Sequence, residues 1–180
     1  KAFDLLQGYS DVDGDVLSVV DLKSSVGAIT DNKNGTWTLR AAKDFNGKVN
    51  LTYTVSDGND GSISAQNSFL VKAVNDAPTL TGKTINLSRG IEDTTYILKE
   101  SDLLQGFTDV DGDKLKIKDL KPLAGSFKSN NDGTWSYTPV ANDNGTVKFD
   151  YIVSDGRDGE IKASNSFELE AVNDAPIVSG

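Results

Sequence analysis

The 180-residue chain has no cysteine, no histidine and no methionine. Without cysteine there is no disulfide framework and no cysteine-based zinc site. Without histidine there is no imidazole base, proton shuttle or nitrogen metal ligand. Long apolar runs are missing as well. None approaches the roughly 20 residues needed to cross a bilayer, so no membrane insertion is expected, and no signal-peptide pattern is present. Basic charge is scarce, with 18 Lys and Arg against 27 Asp and Glu and a formal net charge of −9. That balance argues against nucleic acid and anionic membranes as partners. Neither a GxSxG nor an SxxK nucleophile motif occurs, and the carboxylates that glycoside hydrolysis would need sit in repeated turns with no evident pocket. The chain is therefore read as non-enzymatic.

What the sequence does have is a copy of itself. Ala73-Val74-Asn75-Asp76-Ala77-Pro78 recurs unchanged as Ala171-Val172-Asn173-Asp174-Ala175-Pro176. Residues 1–82 align on 99–180 at a constant offset of 98, without a gap and with 42 identities in 82 positions. Two tandem repeats follow, each about the size at which a single all-β core becomes adequate. Each hexapeptide ends in a proline, which cannot donate to a sheet ladder and restricts the residue before it. The expected domains are 1–77 and 78–176, with 177–180 starting the next linker. Repeat one lacks counterparts of residues 79–98, and with them two strands; either the domain begins further upstream or something else supplies those strands.

Alternation of apolar and polar residues marks the strands. In repeat two, residues 84–88 and 94–99 read as short strands flanking Gly90-Ile91-Glu92-Asp93, and Ser101 reads as the cap of one helical turn. Leu115, Ile117 and Asp119 alternate with lysines. Asn130-Asn131-Asp132-Gly133 is a hairpin signal, because Asn and Gly accept positive φ. Val147, Phe149, Tyr151 and Val153 share one face, as do Ile161, Ala163, Phe167, Leu169 and Ala171. About seven short strands and little helix predict an all-β fold: two tandem immunoglobulin- or cadherin-like antiparallel β-sandwich domains. Trp135, Tyr151 and Phe167, with Trp37, Tyr53 and Phe69, are read as core aromatics.

The strongest chemical signals are Asp11-Val12-Asp13-Gly14-Asp15 and Asp109-Val110-Asp111-Gly112-Asp113. Alternate carboxylates in a glycine-containing loop can converge on one hard cation, and calcium takes six to eight oxygens at about 2.3–2.6 Å. An EF-hand is excluded, because the glycine stands one place early and no glutamate follows at the twelfth position. A second acidic loop holds Asp57 and Asp60 in repeat one, and Asp155 and Asp158 in repeat two. In an immunoglobulin-like sandwich these loops lie at the same end as the incoming linker, near Asn75 and Asp76. The loop containing Asp44 faces the join from repeat one. So many carboxylates together would resist ionisation without a cation, and bound Ca2+ resolves the conflict.

These stretches, together with Asp132-Gly133-Thr134-Trp135, residues 151–156 and the two Val-Asn-Asp-Ala-Pro segments, resemble the cadherin-like repeats of giant bacterial surface adhesins, the RTX and VCBS-type proteins. The resemblance covers essentially the whole chain. It implies calcium between repeats, with Glu92, Asp109, Asp111, Asn75, Asp76 and the second linker's Asp174 among the ligands. It also implies an extracellular place on a bacterial cell surface. The expected function is a calcium-rigidified extender serving attachment or biofilm formation. Its partners are neighbouring repeats of the same chain, with any host or surface ligand bound through other domains. The alternative is a ligand-binding module for carbohydrate or protein, as part of a split domain.

Overall fold

The structure, a computed structural model, describes residues 1–176; the linker expected at 177–180 lies outside the described residues. The fold is nearly all β and divides into two compact units, Lys1–Val74 and the chain from Asn75 onward. The division falls at Asn75 rather than at Pro78 because Asn75 and Asp76 already hydrogen-bond to loops of the second unit.

The first unit opens with one helical turn, α1 (Ala2–Leu5). It continues through β1 (Ser18–Ser24), β2 (Ala28–Asp31), β3 (Trp37–Arg40), β4 (Gly47–Ser56) and β5 (Ser62–Val71). Strands β1, β4 and β5 form one antiparallel sheet in that order, and β2 and β3 form a hairpin. Its core gathers Leu5, Tyr53, Val55 and Ala65, with Trp37 packed against them.

The second unit begins with β6 (Thr79–Leu80), β7 (Gly90–Ile91), β8 (Tyr96–Lys99), the turn α2 (Glu100–Leu103) and β9 (Phe107–Thr108). After these come β10 (Lys116–Pro122), β11 (Ser126–Ser129), β12 (Thr134–Thr138), β13 (Gly145–Ser154) and β14 (Glu160–Glu170). One sheet has the order β10-β13-β14-β7, with β7 parallel to β14, and the facing sheet has the order β11-β12-β8. Between them lie Leu98, Tyr137, Phe149, Tyr151, Val153 and Phe167, all buried. Strand β6 pairs with β9, so the residues just after the hexapeptide belong to this unit's own hydrogen bonding.

The hairpin over β11 and β12 forms where Asn131 (φ 59°) and Gly133 (φ 83°) allow the turn. Inside it the Thr134 hydroxyl and backbone N–H both donate to Asp132, holding that carboxyl below the usual range.

Some local expectations are corrected. Residues 84–88 form no strand; Leu87 packs on the core, and the nearest β pairing is the two-residue β7, inside the stretch expected as the turn. Ser101 does not cap α2, whose N-cap is Lys99 with no side-chain bond. The turn is held from its other side, where buried Tyr151 donates its hydroxyl to the Leu103 carbonyl at 3.3 Å. In the first unit Tyr53 does the same to Leu5 at 2.7 Å. Burial pushes both phenols above the ordinary tyrosine range, keeping them protonated donors. Asp119 does not continue the inward face of β10, because a bulge between Lys118 and Lys121 puts it at φ 50° and turns Leu120 inward instead.

Phe69 is the largest departure among the expected core aromatics. Its counterpart Phe167 is 3% exposed, stacked on Tyr96 with ring centroids 4.1 Å apart; Phe69 is 44% exposed. In the second unit β8 covers that ring; among residues 1–74 no strand takes its place, Lys1 standing where Lys99 ends β8 in the aligned repeat. Phe167→Ala should therefore destabilise the second unit by about 3–5 kcal/mol, whereas Phe69→Ala should cost the first unit no more than about 1 kcal/mol. Urea unfolding of single-tryptophan variants reads the units separately, Trp135 reporting on the second and Trp37 on the first. Equal losses would place Phe69 in a closed core.

Candidate metal centres

Each Asp-x-Asp-Gly-Asp loop is organised by its own first residue. Asp109 Oδ1 accepts the backbone N–H of Asp111 at 2.9 Å and of Asp113 at 3.2 Å. Asp11 repeats this with Asp13 at 2.8 Å and Asp15 at 3.1 Å. Using one carboxylate oxygen to close the turn leaves the other to face inward. In the second unit Asp109 Oδ2 and Asp113 Oδ2 are both buried and have no hydrogen-bond partner. A buried carboxylate oxygen without a donor is costly, so two of them in one loop call for a cation. Asp109, Asp111 and Asp113 each place an oxygen within 4.8 Å of the others. In the first unit the group is Asp11, Asp15 and Asp57; Asp13 stays exposed and outside it.

The second acidic loop joins the same end of the second unit. Asp155, 5% exposed, accepts the N–H of Arg157 at 2.6 Å and of Gly159 at 3.0 Å on Oδ1. Its Oδ2 takes the Asn75 side-chain amide at 2.6 Å. Asp76 in turn donates its backbone N–H to Asp111 Oδ2 at 2.8 Å. Asn75, Asp76, Asp109, Asp111, Asp113 and Asp155 thus occupy one end of this unit, their oxygens a hard donor set of the kind calcium takes. Glycine at 159 permits the packing, because a Cβ there would stand 2.9 Å from the Ala77 Cα and 2.9 Å from the Asp155 carboxyl carbon.

The other candidates lie apart from that set. Asp158 and Asp60 stand exposed at positive φ in their loops. Asp44, also at positive φ, pairs with Lys43 Nζ at 3.0 Å. Glu92 is at the far end of the second unit. It is 3% exposed, and it accepts the Val172 N–H at 2.6 Å and the Asn144 amide at 3.2 Å. Asp174, just beyond, is exposed. Sequence reasoning passed over Arg157, whose guanidinium lies 3.2 Å from Asp113 Oδ1. Its counterpart Asn59 donates to Asp15 Oδ2 at 2.9 Å. The signal was available, since a lone cation sits inside an otherwise acidic loop.

A family model described as "Cadherin-like domain" matches residues 1–72 and 74–170. No curated protein matches the chain. Among solved structures, the chain is similar to the endo-fucoidan hydrolase MfFcnA4 from glycoside hydrolase family 107, at 23% identity and a TM-score of 0.40. It covers 89% of this chain and 24% of that one. It is also similar to mouse clustered PcdhgC3 EC1-3, at 12% identity, TM-score 0.39, 84% of this chain and 54% of that. A third is InvD of Yersinia pseudotuberculosis, at 15% identity, TM-score 0.27, 94% of this chain and 53% of that. The chain spans about a quarter of the length of the first of these.

These matches correct the non-enzymatic reading, because three of the matched structures are endo-fucoidan hydrolases. The motif inventory behind that reading speaks only for residues 1–180, a minor share of each hydrolase chain. At these identities and TM-scores the likenesses place no functional residue here.

The geometry around Asp155 gives a direct test. Its carboxyl is held below the usual carboxylate range, first by the Arg157 N–H and then, against the opposing effect of burial, by Asn75 and the Gly159 N–H. A depressed pKa stabilises the fold above the unfolded value of about 3.9, and that contribution is lost as pH falls through the lower folded value. In EDTA, Asn75→Ala should raise the Asp155 pKa, measured by carbon-detected NMR titration, while leaving it below the ordinary value because Arg157 still donates. The stability gap between the two proteins should be constant above about pH 5 and close at lower pH. A pKa unmoved by Asn75→Ala would show that the linker amide does not hold this carboxylate.

Proposed function

The chain belongs to the cadherin-like domain family, and on that premise we propose that it is a calcium-stiffened extender segment of a bacterial surface adhesin of the RTX or VCBS type. The observation that carries the reading is the pair of buried, unpartnered oxygens, Asp109 Oδ2 and Asp113 Oδ2, in a loop whose third carboxylate already holds the linker amide of Asp76. A cation that satisfies those oxygens acts on the same loop that fixes the linker.

Asp109, Asp111 and Asp113 would hold the ion in the second unit, with Asp155, Asn75 and Asp76 beside them; Asp11, Asp15 and Asp57 would do so in the first. Calcium would supply the positive charge that this donor set lacks, and it accepts oxygen ligands in the flexible geometry that loops provide. The chain's own contribution is positional. Asp109 Oδ1 closes the turn, Arg157 offsets part of the charge on Asp113, and Asp155 keeps Asn75 seated. For an extender the result is reach, because a stiff succession of repeats keeps its contour length while a flexible chain's span grows only as about the square root of length. The partners on this reading are neighbouring repeats of the same chain, and the setting is the extracellular face of a bacterium. The acidic surface, 27 acids against 18 bases, suits that setting.

Calcium titration of the whole chain in calorimetry and native mass spectrometry tests the reading. Modules of this kind bind with Kd of about 0.1–1 mM, and calcium at about a hundredfold above Kd adds about 2.7 kcal/mol per site. The melting temperature should rise accordingly over EDTA, and Asp109→Asn should remove the gain in the second unit. Hydrogen exchange at the Asp76 amide should slow at least about tenfold with calcium. No added mass, an unchanged melting curve and an unchanged Asp76 amide would together sink the proposal.

A further inference from the structure

The acidic end of the second unit carries a cation of its own. The Arg157 side chain is 67% exposed, whereas Asp113, which its guanidinium meets at 3.2 Å, is 13% exposed. The backbone of Arg157 is fixed independently of that contact. Its N–H donates to Asp155 Oδ1 at 2.6 Å, and its carbonyl accepts the Asn75 amide at 3.2 Å. The guanidinium is therefore the tip of a long, solvated arm on an anchored base, able to leave Asp113 without unmaking the loop. The aligned residue of the first unit is Asn59. Its N–H makes the same bond, to Asp57 Oδ1 at 2.7 Å. Its side chain reaches the aligned carboxylate, Asp15 Oδ2, at 2.9 Å, but with a neutral amide. One position offers a full charge in one repeat and a dipole in the other, on the same backbone.

On the premise that the Asp109–Asp113 loop binds calcium, we propose that Arg157 is a resident counter-ion that sets how strongly this loop depends on the ion. Asp109 Oδ2 and Asp113 Oδ2 lie buried and unpartnered, and carboxylates gathered this closely repel one another. Arg157 relieves that repulsion from the solvent side, at Asp113 Oδ1, without satisfying the two inward oxygens. It thereby stabilises the cation-free loop, and with it the bond from the Asp76 N–H to Asp111. The same positive charge opposes the arrival of another cation beside it. Both effects lower what the loop gains from calcium. With arginine the loop holds the linker in the absence of the ion and binds the ion more weakly. With asparagine, the residue the first repeat carries, it is less stable without calcium and binds it more tightly. An exposed ion pair has a small worth, which sets the effect at a few-fold in affinity rather than at presence or absence of binding.

The test uses the whole chain and its variants Arg157→Asn, Arg157→Lys and Asn59→Arg. Calcium is titrated in from a chelator-treated, metal-free start while the backbone amides of Asp113 and Asp15 are followed by NMR, one in each unit. Second-unit stability is read in EDTA from urea unfolding at Trp135, in chains that also carry Trp37→Phe. For Arg157→Asn the expected result is calcium binding at Asp113 tighter by about two- to fivefold, with Asp15 unchanged. Its second unit should also be less stable in EDTA, by a deficit that shrinks as KCl is added. Arg157→Lys, which keeps the charge, should stay near the parent protein in both measurements, and Asn59→Arg should weaken calcium at Asp15. Calcium affinity at Asp113 unmoved by Arg157→Asn overturns the proposal and leaves the calcium reading standing. Weaker calcium binding joined to lower stability also overturns it, and makes Arg157 a structural contact only. No calcium response at either amide removes the calcium reading and the counter-ion role with it.

Discussion

The long antiparallel ladder of the second unit, running from Gly145 opposite Leu169 to Ser154 opposite Glu160, is the constraint on which the rest of that unit depends. Its inward residues alternate along both strands and bury Val147, Phe149, Tyr151, Val153, Phe167 and Leu169. A one-residue slip would turn all of them to water, so the register is tightly held. Once it is held, the two ends of the sandwich have distinct roles. At one end the turn after Ser154 carries Asp155 beside Asn75, and the loop before β10 carries Asp111 beside Asp76. The exit from β14 places Val172 on buried Glu92 at the other. The ladder β4–β5 imposes the same frame on the first unit, from Gly47 opposite Val71 to Ser56 opposite Ser62.

Much of this frame was legible in the sequence because it rests on period-2 patterning and on residues with special backbone freedom. The β13 and β14 faces, the Asn-Gly hairpin and the Asp-x-Asp-Gly-Asp loops each carry a local signal. What was not legible depends on tertiary partners. The bulge at Asp119 shifts parity without any mark in the pattern. Ser101 has the right chemistry for a cap, but the turn is held by Tyr151, 48 positions from the Leu103 carbonyl it bonds. Phe69 and Phe167 are the same residue in the same alternation, and only the presence of Tyr96 over one of them separates core from surface. The candidate loops were readable as acidic, yet which oxygens are left unpaired could not be read, since it depends on which one closes the turn.

The two copies of the acidic loop arrange their charges differently. With Asn59 in the first unit, a neutral amide reaches Asp15, and Asp57 joins Asp11 and Asp15 in the compact group. With Arg157 in the second, a guanidinium meets Asp113, Asp155 is taken by Asn75, and Asp111 completes the group instead. The backbone of the turn is unchanged, because Asp11 and Asp109 close it by the same two bonds. Loop conformation and charge arrangement are therefore separable here, the first belonging to one aspartate and the second to the groups that meet the loop.

A β-sandwich offers two kinds of unfinished surface, its ends and its edges, and this chain uses them differently. At the ends, loops present carboxylates whose mutual repulsion must be offset by charge, which makes them responsive to ions. At an edge, unpaired backbone groups and uncovered apolar side chains are answered only by another length of polypeptide. In the first unit the Asp11 turn is closed at the acidic end, and Phe69 and Trp37 border a groove beside β3. The second unit is finished at both, through β8 along the edge and Asn75 and Asp76 at the end. The two kinds of surface are met by different chemistry and lie on different parts of each sandwich, so an ion bound at the acidic end of the second unit shares no atoms with the β8–β12 pairing along its edge.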